Sequence, residues 1–230
     1  MVCVPALPRE AFPDAIVFDF DGVIVNSEPL HLASTQHALA LRGIEISAEE
    51  YYEGYVGYDD VGMFTQLAID RGLIWCSDDL QEMLVAKALQ FEELEKGGAL
   101  LVPGAAECVR RMAAISPHAV ASGARREEIE RILQRVNLAS IFRTIVASGD
   151  TPSSKPAPDP YIEAAARLRA QPARTVAIED TAAGLASARA AGLRCIGITT
   201  TFPATKLSLA DVVVNSMDEI SVDLMRRLTR

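Results

Sequence analysis

From Leu101 onward, short apolar runs alternate with stretches of helical spacing, and this texture restricts the fold more than any other feature of the chain. Residues 119–121, 144–147, 175–178, 195–198 and 212–214 read as strands. Residues 127–136, 160–169 and 182–191 read as the helices between them, the last closed by Gly192. Such alternation means parallel βαβ units with helices on both faces of the sheet. One more strand candidate stands far upstream, in the run Ala15-Ile16-Val17-Phe18-Asp19-Phe20-Asp21-Gly22-Val23-Ile24. Between that run and Leu101 the spacing is helical only, over 28–41, over a segment opened by Ser47-Ala48-Glu49-Glu50 with capping-box spacing, over 59–71 and over 77–96. The expectation is therefore an α/β protein, with a parallel-sheet core formed by 1–25 and 99–230. An all-helical module, 26–98, is inserted after the first strand. Turn formers at Asn26-Ser27 and from Gly97-Gly98 through Pro103-Gly104 suit a pair of hinges at the joins.

Composition narrows the class of partner. A formal charge of −9 argues against a general nucleic-acid binder, which would carry a basic face. No run of some 18 apolar residues is present, so no membrane span is expected. Met1 to Pro13 has two prolines before Pro13 and no long apolar core, which does not read as a signal peptide. Cys3, Cys76, Cys108 and Cys195 show no CxxC spacing and no neighbouring histidine pattern, as expected of reduced thiols in a cytoplasmic protein. A monomer or weak dimer is expected.

The polar residues fall at the carboxyl ends of the strand candidates. The first ends in Asp19-Phe20-Asp21-Gly22, the second in Ala121-Ser122-Gly123-Ala124. The third leads through Gly149-Asp150 to Lys155-Pro156-Ala157-Pro158-Asp159, and the fourth ends in Glu179-Asp180-Thr181. In a parallel sheet those ends share one edge, where ligands bind in open α/β folds. Two acid pairs, a hydroxyl and a lysine then converge. Carboxylates repel a phosphate unless a hard cation stands between them, and this oxygen-rich set suits Mg²⁺. Ser122, with the backbone N–H groups of Gly123 and Ala124, is read as lying at a helix N-terminus that favours an anion. Lys155 supplies positive charge to the same group.

The FDFDGVI run, the serine of ASGA, the lysine of KPAPDPY and the IEDTAAG run resemble the haloacid dehalogenase-like hydrolases, in the subgroup of β-phosphoglucomutase and phosphoglycolate phosphatase. The resemblance spans about 15–214 and implies a Rossmann-like core, 1–25 and 99–230, with an all-helical cap domain, 26–98. It implies that Asp19 is the nucleophile, forming an aspartyl-phosphate. It further implies that Asp21 is the general acid and then base, and that Ser122 and Lys155 hold the transferring phosphoryl group, with Gly22, Gly123 and Ala124 also lining the phosphate site. Mg²⁺ would be held by Asp19, Asp180 and the Asp21 backbone carbonyl, with Glu179 a ligand directly or through a neighbour. The presence of Asp21 sets aside the dehalogenase and phosphonatase branches.

Phosphatase and phosphosugar mutase are separated by the cap. A mutase grips a second phosphate with a cap arginine soon after a glycine, whereas here Val56-Gly57-Tyr58-Asp59-Asp60 carries acids. Lys87 falls where such caps aim a lysine at the site and is a candidate phosphate ligand. Tyr51, Tyr52, Tyr55 and Tyr58, with Glu53 and Asp59, would suit a hydroxyl-rich substrate or simply pack the cap. His31 and His37 read as structural. The expected activity is Mg²⁺-dependent hydrolysis of a small phosphorylated metabolite such as a sugar or polyol phosphate. The alternatives are a mutase and, less favoured, a non-enzymatic receiver-like module, which would be about half this length and uncapped.

Overall fold

A computed structural model describes residues 12–97 and 101–229. The expectations for Met1 to Phe12's upstream neighbour, for Cys3 and for a hinge at Gly98 lie outside those residues. Among the described residues six strands form one parallel sheet: β1 (Ala15–Phe18), β2 (His118–Ala121), β3 (Phe142–Val146), β4 (Thr175–Glu179), β5 (Arg194–Ile198) and β6 (Val212–Val214). Their order is β3-β2-β1-β4-β5-β6. The chain moves outward from β1 in one direction and then returns to its other side, so the crossover direction reverses between β1 and β4. Loops leaving those two strands diverge to opposite faces and open a crevice at their carboxyl ends.

Every residue of β1 is buried, as a central strand covered on both faces requires. Ile16 and Phe18 pack into one apolar layer, with Ile129 and Ile132; Val17 packs into the other, with Tyr161 and Leu185. The helices of these layers are α5 (Ala105–Ala113), α6 (Arg126–Arg135), α7 (Asp159–Leu168), α8 (Ala182–Ala190) and α9 (Val222–Leu228). Of these, α5 and α9 are absent from the sequence reading.

Between β1 and α5 stand α1 (Glu28–Ala40), α2 (Ala48–Gly54), α3 (Asp60–Arg71) and α4 (Ser77–Glu95), with no strand among the described residues. Their facing sides bury a separate apolar cluster that includes Leu39, Ile46, Phe64, Leu67 and Met83. The capping box expected at Ser47 is half formed: Ser47 accepts from the Glu50 amide, but the Glu50 carboxylate turns away to Arg71. A complete box closes α4 instead, between Cys76 and Asp79. Cys76, Cys108 and Cys195 are free thiols, and burial pushes Cys108 up to about 11 and Cys195 up to about 12. Among the described residues no helix is long and apolar enough to cross a membrane.

One local expectation is corrected. Ser122 does not sit at the N-terminus of α6, whose N-cap is Arg125. Ser122 instead turns its own loop, its Oγ accepting from the Ala124 amide at 3.0 Å.

Candidate active site

The pairing of β1 with β4 sets Phe18 opposite Ile178, and the Asp19 amide donates to the Ile178 carbonyl at 3.0 Å. The next residue on each strand is therefore acidic, and both acids arrive at the crevice together. Asp19, Glu179 and Asp180 each offer a carboxylate oxygen within 4.8 Å of the other two, all buried. Lys155, from the loop before α7, reaches in behind them, with Nζ 2.8 Å from Asp19 Oδ1 and 2.6 Å from Glu179 Oε1.

Glu179 is the frame of this cluster. Its Oε1 accepts from Lys155 and from the Tyr161 hydroxyl at 2.9 Å. Its Oε2 accepts from the Asp180 amide at 3.0 Å, the Thr181 amide at 3.2 Å and Thr181 Oγ1 at 3.1 Å. A carboxylate has about four lone-pair directions, so five donors leave it none for a metal ion. Glu179 thus orients Lys155 and the Asp180 loop, contacts that suit the indirect one of the two roles expected for it. Neither Tyr161 nor Thr181 is recognisable from sequence alone as its partner.

Asp180 is the reverse case. Its Oδ1 is buried and has no hydrogen-bond partner among the described residues. Its Oδ2 lies against Gly22, where a Cβ would come within 1.8 Å of it, and Gly22 holds φ at +72° in the turn after Asp21. Only glycine serves there. Burial, followed by the charge of Glu179, pushes Asp19 up to about 8 against the opposing pull of Lys155. Burial, Glu179 and Asp19 push Asp180 well above the ordinary carboxylate range. Three buried carboxylates with one lysine are thus short of positive charge. An orphaned hard oxygen beside Asp19 fits a hard divalent cation such as Mg²⁺.

Asp21 faces the helical side. Ser27 Oγ donates to its Oδ1, His31 Nε2 lies 3.3 Å from the same oxygen, and Ser122 Oγ is 3.5 Å from Oδ2. Burial would raise Asp21, but the His31 charge and the hydrogen bonds from His31 and Ser27 win and lower it. Without a cation, then, Asp19 holds a proton more tightly than Asp21 does.

His31, assigned above to structure, in fact touches the site. Burial and Lys87 push its ring down, yet Asp21 and Glu128 overcome them and raise it to about 9. The ring stacks on Phe91 with centroids 4.5 Å apart. Lys87, the expected phosphate ligand, lines the same cavity, but it is paired with Asp60 and lies 3.3 Å from His31 Nδ1. Asp60, already singled out among the acids after Gly57, completes an acidic wall with Glu28 and Glu128, which sequence reasoning missed. They come together only because α1, α3 and the core helix α6 meet; the one local clue was His31 in the first turn of the helix after the Asp19-Asp21 motif.

The tyrosines divide. Tyr51 and Tyr55 are buried in the helical cluster and also line the cavity, with their hydroxyls donating to Glu28 at 2.8 Å and Asp70 at 3.1 Å. Asp59 caps α3 by accepting from the Gly62 amide at 2.7 Å. Its backbone leans over Gly123, where a Cβ would lie 3.5 Å from Asp59 Cα. The helical insertion is therefore closed down on the sheet edge.

Comparison with known proteins gives one consistent answer. Residues 13–192 match the family described as haloacid dehalogenase-like hydrolase. Hexitol phosphatase B of Escherichia coli (strain K12) is 27% identical over 231 residues, covering 93% of this chain and 96% of its own. Protein CbbY of Rhodobacter capsulatus is 30% identical over 189 residues, covering 79% of this chain and 83% of its own. The crystal structure of β-phosphoglucomutase from Clostridium difficile superposes with a TM-score of 0.86 at 18% identity, over 94% of this chain and 97% of that one, a likeness of fold.

Proposed function

Because the chain belongs to the haloacid dehalogenase-like hydrolases, we propose that it is a Mg²⁺-dependent phosphatase acting on a small sugar or polyol phosphate through an aspartyl-phosphate on Asp19. The observation that carries this reading is the meeting of Asp19, Lys155 and the orphaned Asp180 oxygen at the carboxyl ends of adjacent central strands. The likeness to hexitol phosphatase B supports a polyol or sugar phosphate over other esters.

Asp19 and Asp180, with the Asp21 backbone carbonyl, would hold the Mg²⁺. When bound, the ion offsets phosphate charge and favours the ionised form of Asp19. The Asp19 carboxylate attacks phosphorus, and the ester bond to the leaving oxygen breaks. Lys155 and the Ser122 loop, through the Gly123 and Ala124 amides, hold the phosphoryl oxygens as charge moves between them. Asp21 gives its proton to the departing alkoxide, and the approaching phosphate dianion raises its affinity for that proton. Asp21 then takes a proton from the water that attacks the aspartyl-phosphate, which releases phosphate and restores Asp19. The insertion, 26–98, acts as the cap that excludes bulk water and shapes the pocket for the alcohol.

The mutase reading requires a free cation for a second phosphate. Of the cavity-lining cations, Lys87 is taken by Asp60, Lys155 by Asp19 and Glu179, and His31 faces Asp21. A screen of phosphorylated metabolites with phosphate release measured tests the proposal. Turnover of sugar or polyol phosphates above other esters is expected. Isomerised sugar phosphate on feeding a hexose 1-phosphate with a bisphosphate, rather than free phosphate, would overturn it.

A further inference from the structure

The acidic wall of the cavity contains a second group of possible metal ligands, separate from the Asp19–Asp180 cluster. Asp21, His31 and Glu128 each offer one donor atom within 4.8 Å of the other two. His31 Nε2 is 3.3 Å from Asp21 Oδ1 and 3.8 Å from Glu128 Oε1. The Glu128 side chain is buried, its residue only 5% exposed, and its Oε1 has no hydrogen-bond partner among the described residues. That oxygen is aimed at the imidazole from α6 across the cavity, and nothing in the hydrolytic scheme uses it.

The donor set and spacing discriminate between metals. Tetrahedral zinc with ligand bonds near 2.0–2.1 Å has donors roughly 3.3 Å apart, close to the separations found here. An imidazole between two carboxylates favours Zn²⁺ over Mg²⁺ or Ca²⁺, which take all-oxygen shells. The surrounding charge favours a dication as well: Glu28 and Asp60 line the same cavity, and its two ammonium groups are taken, Lys87 by Asp60 and Lys155 by Asp19 and Glu179.

We propose that Asp21, His31 and Glu128 form an inhibitory zinc site, in which the metal occupies the carboxylate that would otherwise exchange protons with the leaving group and with water. Zinc bound there leaves the Mg²⁺ ligands Asp19 and Asp180 untouched, so added Mg²⁺ does not displace it. It blocks both half-reactions by engaging one side chain.

The test is zinc affinity measured by competition with a chromophoric chelator on the full chain in excess Mg²⁺. Three proteins are compared: wild type, Glu128→Gln and Asp180→Asn, each first checked for fold by circular dichroism. The wild type is expected to bind one zinc ion at micromolar concentration, and zinc to inhibit without competing with Mg²⁺. Asp180→Asn should retain that ion, and Glu128→Gln should weaken it by about 100-fold, at the upper end of what losing even an outer partner costs a metal site. In the wild type, zinc should also shift the ring nitrogen resonances of His31, a readout that needs no variant. Zinc lost in Asp180→Asn but unaffected by Glu128→Gln would place the ion in the other cluster and overturn the proposal. So would unmoved His31 resonances, or the absence of micromolar binding.

Discussion

Gly184→Ala should destabilise the protein, although helix propensity predicts the opposite sign. Gly184 lies in the first turn of α8, where replacing glycine by alanine ordinarily gains up to about 1 kcal/mol. Here a Cβ would stand 1.7 Å from Glu179 Oε1 and 2.0 Å from Glu179 Cδ, so the carboxylate must leave its place. Leaving it gives up the Lys155 and Tyr161 contacts and strands a buried anion. Breaking a buried ion pair costs about 3–5 kcal/mol, so the net loss is about 2–4 kcal/mol. Lys155 and the Asp180 loop shift with it, and a misplacement of about 1 Å in such a site lowers turnover by roughly 100-fold. Urea denaturation at neutral pH measures the first effect, and phosphate release the second. Gly54→Ala, at the end of α2 with nothing within 4 Å of the added Cβ, is the control and should be neutral or stabilising. If Gly184→Ala matched that control in both assays, the placement of Glu179 as the frame of the site would be wrong.

His118 should make the fold acid-sensitive. It begins β2 between Phe18 and Phe142, with ring centroids 5.0 and 5.9 Å away, and burial pushes it from 6.5 down to about 4. The unfolded chain therefore binds the proton more tightly, so this contribution is whole above pH 6.5 and is lost as pH falls from there to 4. The loss amounts to about 3 kcal/mol. Denaturation curves across that range should be flatter for His118→Leu than for wild type; parallel curves would refute the assignment. A chelator should stop turnover and Mg²⁺ restore it, whereas full activity in the chelator would remove the metal from the scheme. Asp21→Asn should slow esters with poor leaving groups most, and an equal loss across all esters would contradict its role as the acid.

The parts of the site legible in the sequence were those set by strand ends. Asp19, Ser122, Lys155 and Asp180 follow apolar runs of period and length that only buried parallel strands explain, and the sheet brings them together without further information. What stayed hidden depends on packing between distant helices. Glu128 sits in an unremarkable charged stretch of α6, and its side chain meets His31 only because α1 closes over the sheet edge. Lys87 read as a phosphate ligand because it falls where caps of the resembling family aim a lysine at the site, but its pairing with Asp60 depends on the neighbouring α3. The resemblance made Glu179 a metal ligand directly or through a neighbour; the donors that fill its oxygens include Tyr161, from the distant helix α7.

The most direct test of the account is to find where the phosphoryl group rests. Substrate mixed with excess enzyme, quenched in acid and reduced with borohydride converts an aspartyl-phosphate to homoserine, which peptide mass analysis locates. Homoserine at position 19, formed only when substrate is present, is the result the account predicts. Homoserine elsewhere, or none while phosphate is still released, would contradict it.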